Sequence, residues 1–256
     1  MERDLFRNWC CEKLTKFEHI VFPIENEHPY EATLIELSRK LPHIEYIIQN
    51  AIVKLSHSPF TFSIVCSEKN IDFMKQIQNK FPFLLIHKLP NEIASESREN
   101  YNDLLFNPLF WNFFQHRQSV LIMQEDTFIF KSNIEDFLQY DYIGAPWGYN
   151  SIMRKIDLRV GNGGFSLRKM SFIYEVLDQK EAILKKMKEY EFYSEIEKLE
   201  PYPEDIFFSF AAIYLGKNIP KFDVARSFAT ENIACSESFG GHQFWNADHN
   251  YQQRFL

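Results

Sequence analysis

The sequence predicts an α/β fold with a mixed, mostly parallel central sheet flanked by helices. Three observations point there. Apolar runs of strand length alternate with segments of helical spacing. One run, VLIMQ at 120–124, is apolar on both faces, as in a strand covered on both sides. That run leads directly into Glu125 and Asp126, and in open α/β sheets ligands sit at the carboxyl ends of the strands.

The elements follow in order. EHIVFPI (18–24) reads as a first strand, ended by ENEHP. Pro29 then precedes YEATLIELSRKL, whose apolar spacing predicts a helix. FTFSIVCSEKN (60–70) is a strand closed by a polar turn, IDFMKQIQNKF a short helix, and FLLIHKLP (83–90) the next strand. NYNDLLFNPLFWNFFQ (100–115) is an aromatic-rich helix or helix pair, before the central strand at 120–124. SNIEDFL (132–138) is a helical turn with Ser132 or Asn133 as cap, and YDYIGAPW (140–147) is strand-like up to Pro146. GNGGFSLRKM (161–170) pairs three glycines with an apolar strand, and 175–200 is helical. In PYPEDIFFSFAAIYLG (201–216), Pro203 and then two acids mark a helix start. KFDVARSFATE (221–231) reads as a strand running into an irregular tail that holds FGGHQFW (239–245).

Composition narrows the function. With 45% hydrophobic and 25% charged residues in 256, the chain folds around a sizeable core. The net charge is −7 and no long Lys/Arg block occurs, which argues against a nucleic-acid partner. The basic stretch KEAILKKMKEY (180–190) is interleaved with acids and reads as a solvated helix face. Cys10, Cys11, Cys66 and Cys235 lack metal-type spacing, and reduced thiols are the simpler reading. MERDLFRNWCCEKL is charged throughout, unlike a signal peptide, and no apolar run approaches the length of a membrane span. The expectation is a soluble, cytoplasmic protein.

Four places carry candidate chemistry. Carboxylates at a strand end, here Glu125 and Asp126, suit Mg²⁺ or Mn²⁺, hard cations that share oxygen ligands with substrate phosphates. The glycines of GNGGFSLR permit close backbone approach to a ligand, or a tight bend between strands. Glu204 and Asp205 either complement a helix N-terminus or supply a general base. His242, between two glycines and two aromatics, could as a neutral imidazole complete a metal site begun by Asp126.

Together these blocks resemble a nucleotide-sugar glycosyltransferase of the GT-A type, within a poorly characterised glycosyltransferase-like domain family. The resemblance rests on QED (124–126), DYIGAPW (141–147), GNGGFSLR (161–168), EDIFF (204–208) and HQFW (242–245), in that order. It implies a GT-A-like, Rossmann-like single domain over 1–256, with a nucleotide-binding half at 1–118 and a metal and acceptor half at 119–256. It implies that Asp126 is the metal- and diphosphate-binding acid, with Gln124 standing where the full motif has its first Asp, and Glu125 beside it. Gly163, Gly164 and Phe165 would line the donor sugar and acceptor cleft. Asp205, with Glu204 second, would be the base of an inverting transfer. His242 would reach the metal or the diphosphate, and Arg98 and Asn102 the donor. The implied co-substrate is a nucleotide-diphosphate sugar, UDP-linked by preference, and the acceptor a glycan, glycoprotein or glycolipid. Two other readings stand beside it. One is a GT-A-like module that binds a glycan or partner without catalysis. The other is a nucleotidyltransferase, against which stands the lack of a Gly-rich phosphate loop with a Lys after the first strand.

Overall fold

Side-chain alternation along the central strands divides the core into two layers. In β4 (Ser119–Met123), Leu121 and Met123 join one apolar cluster and Val120 and Ile122 the other. Successive side chains of a strand point to opposite faces, so this strand is covered on both sides. The structure, a computed structural model, describes residues 2–14, 28–91, 98–149, 151, 153, 158, 160–190 and 203–251. The strand expected at 18–24 and the end of the helix expected to 200 lie outside them.

The main sheet also contains β1 (Tyr30–Ile35), β2 (Phe60–Cys66), β3 (Leu85–Lys88), β6 (Tyr142–Gly144) and β7 (Ser166–Lys169), in the spatial order β3-β2-β1-β4-β7-β6. The first four strands of that order run parallel, with Ala32 opposite both Phe62 and Leu121. β7 runs antiparallel to β4 and β6, which makes the sheet mixed and mostly parallel. A smaller sheet joins β5 (Thr127–Ile129), β9 (Gly240–His242) and β8 (Ala229–Thr230), in the order β5-β9-β8.

One layer of helices carries α1 (Glu2–Lys13), α2 (Ile44–Leu55) and α3 (Ile71–Lys80). The other carries α4 (Arg98–Leu105), α5 (Pro108–Trp111), α6 (Met170–Asp178), α7 (Lys180–Lys188) and α8 (Glu204–Tyr214). No helix among the described residues is long and apolar enough to cross a membrane.

Two segments take the opposite element from the one expected. YEATLIELSRKL is not a helix; it is β1 followed by an irregular stretch. Five of the six residues of β1 are buried, and both strand edges are hydrogen-bonded in the sheet. Its Glu31 is fully buried because Arg117 Nε donates to it at 2.8 Å and His87 Nε2 lies 3.0 Å away. A buried carboxylate is tolerated when paired in this way. Those partners come from distant parts of the chain, so local spacing gives no sign of them. Phe222–Phe228, expected as a strand, is helix α9, and only Ala229–Thr230 after it pairs in a sheet. Its Ala225 and Phe228, three apart on one helix face, are the buried residues.

Helix α1 is held by Phe6, which is fully buried against Phe128, Phe244 and Trp245. Burying one Phe contributes about 1.5–3 kcal/mol, more than a partly exposed ion pair at about 0.2–1. Phe6 therefore sets the helix position, and the polar residues on the same helix take the places that docking leaves them.

Candidate active site

The acid turn is built by the end of β4. Thr127 closes it by donating from both its backbone N–H and its Oγ1 to the carbonyl of Gln124, at 3.2 and 2.7 Å. β5 then pairs with β9, which sets Thr127 opposite His242 and brings the late histidine beside Asp126. The next residue, Gln243, has φ 44° and ψ 33° and is the only described non-glycine residue in the left-handed region. Such a conformation is uncommon for a residue with a side chain and is kept where surrounding contacts enforce it. Here Gln243 donates twice to Asp126, from its backbone to the carbonyl and from Nε2 to Oδ2, both at 3.0 Å.

Arginines and histidines surround both acids. Arg3 Nη2 donates to Asp126 Oδ2 at 2.6 Å, and His242 Nε2 lies 3.1 Å from Oδ1. Glu125 receives Arg7 Nη2 at 2.5 Å and Arg39 Nη1 at 3.1 Å, with His43 Nε2 at 2.9 Å. Arg39 also grips Glu36, whose carboxylate caps the backbone N–H groups of Ser38 and Arg39. Burial opposes ionisation of Asp126, but His242 and then Arg3 outweigh it, and the carboxyl titrates well below the usual range. Glu125 behaves alike, held down to about 2 by His43 and Arg7 against its burial. Burial disfavours charge on His242, yet Asp126 and Glu231 prevail and push it up to about 10. At neutral pH this imidazole is a cation between two carboxylates.

This donor set does not fit a divalent metal. A divalent metal needs carboxylate oxygens open to coordinate it. Asp126 Oδ2 instead accepts from both Arg3 and Gln243, and the preceding motif position is the neutral amide Gln124. Among the described residues, no group of three or more His, Cys, Asp and Glu side chains is arranged to hold an ion.

The opposite wall is the glycine loop and the start of α8. Gly164 lies against His242 and Gln124: a Cβ there would come within 2.8 Å of the ring and 2.9 Å of Gln124 Oε1. A Cβ on Gly163 would meet Glu204 Oε1 at 1.6 Å. The need is room and not a left-handed backbone, since Gly216 is the one described glycine with positive φ. Glu204 cannot yield, because Arg168 Nη2 holds its two oxygens at 2.9 and 3.1 Å in a fully buried pair. Gly163→Ala is accordingly expected to cost about 2 kcal/mol or more, a fall of about 4–8 °C in melting temperature. An unchanged melting curve would mean the loop can back away.

Arg168 sits in an aromatic box, 4.8 Å from the Phe208 ring and 5.2 Å from that of Tyr142, and its Nε donates to Ser166 Oγ at 3.0 Å. Glu204 is thus engaged with the core. Asp205, next to it, is only partly buried, and its Oδ1 accepts the N–H of Ile206 at 2.8 Å. Burial first, then repulsion from Glu204 and Glu231, push its carboxyl up to about 7.

The two walls enclose a cavity of about 620 Å³, within the usual size range of small-ligand sites. Gln124, Glu125, Asp126 and His242 line one side; Gly163, Gly164, Glu204 and Asp205 line the other. Asn102 also lines it, and its Oδ1 accepts the Glu204 N–H at 3.3 Å, capping α8 from another helix. Phe165 does not line it; it is fully buried, stacked on Phe228 and Phe239. Arg98 opens α4, and its side chain lies outside the described residues. Sequence reasoning missed Arg3, Glu36, Arg39, Tyr101, Glu231 and Gln243, which also line the cavity. Glu36 and Arg39 follow β1, so reading that segment as a strand would have flagged them by the same carboxyl-end rule.

The fold has known counterparts. Galactosyltransferase LgtC, solved with donor and acceptor sugar analogs, matches with a TM-score of 0.53 at 8% identity, over 83% of this chain and 86% of that one. The glycosyltransferase GlyE of Streptococcus pneumoniae TIGR4 gives 0.44 at 12% identity, over 74% and 43%. The mannosyltransferase PcManGT of Pyrobaculum calidifontis, in complex with GDP-Man and Mn²⁺, gives 0.40 at 8% identity, over 68% and 55%. The chain thus spans about half the length of these last two. At such identities the likeness is one of fold, and the LgtC match agrees with the GT-A-like α/β architecture. No curated protein sequence matches the chain. Residues 84–242, more than half of the chain, match one sequence family, and the chain belongs to it: the family described as Protein of unknown function (DUF5672).

Proposed function

We propose that this chain is an inverting glycosyltransferase. It would move a sugar from a nucleotide-diphosphate donor, a UDP-sugar by first preference, to the hydroxyl of a glycan, glycoprotein or glycolipid. The observation that carries this is Asp205. Glu36, Glu125, Asp126, Glu204 and Glu231 each have an arginine or histidine partner. Among the described residues, Asp205 is the cleft carboxylate without one. Its pKa of about 7 suits a general base at neutral pH.

In the transfer, the acceptor oxygen bonds to the anomeric carbon as the bond from that carbon to the diphosphate breaks. The hydroxyl proton passes to Asp205 and the electron pair leaves with the nucleoside diphosphate. Gly163 and Gly164 make room for Glu204 and for His242 with Gln124, and these side chains form the wall that the sugar would meet. Arg168 holds Glu204, and Glu204 in turn supports the loop, so this pair positions the site and does not take the proton. The free cysteines Cys10, Cys11, Cys66 and Cys235 support a reducing, cytoplasmic setting.

The test is a panel of UDP-, GDP-, CDP- and ADP-sugars, read by melting temperature and by release of nucleoside diphosphate. A donor at 100 times its Kd stabilises by about 2.7 kcal/mol, so one donor class should raise the melting temperature by several degrees and be consumed. Binding without consumption under any acceptor mixture would instead identify a binding module.

A further inference from the structure

Where the sequence places a cation clamp, the structure holds arginines. Glu36, Glu125 and Asp126 are 4%, 2% and 4% exposed, so the acids lie at the back of the cleft. In front of them, the Arg3 and Arg39 side chains are 39% and 49% exposed, and both line the cavity. What this end of the cleft presents to a ligand is guanidinium. Each guanidinium carries five N–H donors in a fixed fork. Among the described residues, Arg3 directs one nitrogen at Asp126, and Arg39 directs two at Glu36 and Glu125. The remaining donors have no partner among the described residues and can meet a second, anionic one. The two arginines come from separate segments, one on α1 and one after β1, and each is anchored on buried acids. Together they carry the same charge as one divalent cation.

We infer that Arg3 and Arg39, anchored by Asp126, Glu125 and Glu36, form a metal-independent diphosphate clamp. Arg binds phosphate oxygens bidentately, which a diphosphate exploits twice. On this assignment the buried acids act by positioning the arginines, and the arginines touch the ligand. The glycosyl-transfer reading supplies the identity of the ligand; the anion chemistry of the clamp stands apart from it.

The experiment is calorimetric titration of the full chain with inorganic pyrophosphate in EDTA, and with UDP and GDP in EDTA or Mn²⁺. Wild type, Arg3→Ala and Arg39→Ala are compared, with melting curves for each. Pyrophosphate is expected to bind in EDTA and each variant to weaken it at least tenfold, since charge-assisted hydrogen bonds are lost. A nucleoside diphosphate should bind equally, within about twofold, with or without Mn²⁺. Binding that needs Mn²⁺, or that tightens in Arg3→Ala, overturns the clamp and leaves glycosyl transfer standing. Arginine-dependent pyrophosphate binding with no nucleotide sugar bound or consumed upholds the clamp and removes glycosyl transfer. No binding of pyrophosphate to wild type in EDTA overturns the clamp without recourse to any variant.

Discussion

Asp205→Asn is expected to lower kcat by about 10²–10⁴-fold while leaving donor affinity close to wild type, because it removes proton acceptance alone. The pH profile gives a second reading. Only ionised Asp205 can take the proton, so wild-type kcat/KM should rise with pH through about 7, and the variant should lack that limb. Stability should move the other way. An unfolded Asp ionises near about pH 4, whereas folded Asp205 keeps its proton to about 7. Across that window the folded state binds the extra proton, so its contribution to stability is lost as pH rises. Asp205→Asn removes this loss and should melt above wild type at pH 8 but not at pH 4. Wild-type turnover by the variant would move the base elsewhere, and equal melting at pH 8 would show that Asp205 ionises in the fold as freely as in water.

Arg168→Met should be the most damaging substitution for the fold. It leaves Glu204 buried without a counter-charge, and breaking such a pair from one side costs about 3–5 kcal/mol. The double variant Arg168→Met/Glu204→Gln should recover most of that loss, since no unpaired charge then remains. The readout is chemical denaturation of both variants and of Glu204→Gln. If the double variant is no more stable than Arg168→Met, the aromatic box around the guanidinium matters more than the charge it carries.

What could be read from the chain, and what could not, divides along a physical line. β4 was legible because a strand covered on both faces must be apolar at every position. The acid turn after it and the glycine loop were legible because strand ends and clustered glycines have few other uses. β1 was not, since Glu31 interrupts its apolar run and the partners that make it tolerable, His87 and Arg117, are 56 and 86 residues away. The same limit hid the charge state of the cleft. Nothing near Asp126 in sequence announces Arg3, and nothing near Glu204 singles out Arg168 as its mate. Phe165 was misplaced from the lining for a simpler reason: the glycine loop bends at 163–165, ahead of β7, and the ring stacks in the core on Phe228 and Phe239.

The Arg3–Asp126 contact spans 123 residues of chain, and Gln243 reaches the same carboxylate from 117 residues further on. The acid turn is therefore completed by segments from near both ends of the described chain. Contacts of such separation carry a loop-closure cost that local helices do not, and they form after those helices. The cleft should be among the last parts to mature during refolding. Anion binding would then lag behind the return of helical circular dichroism, and a pulse of ligand early in refolding would find no receptor.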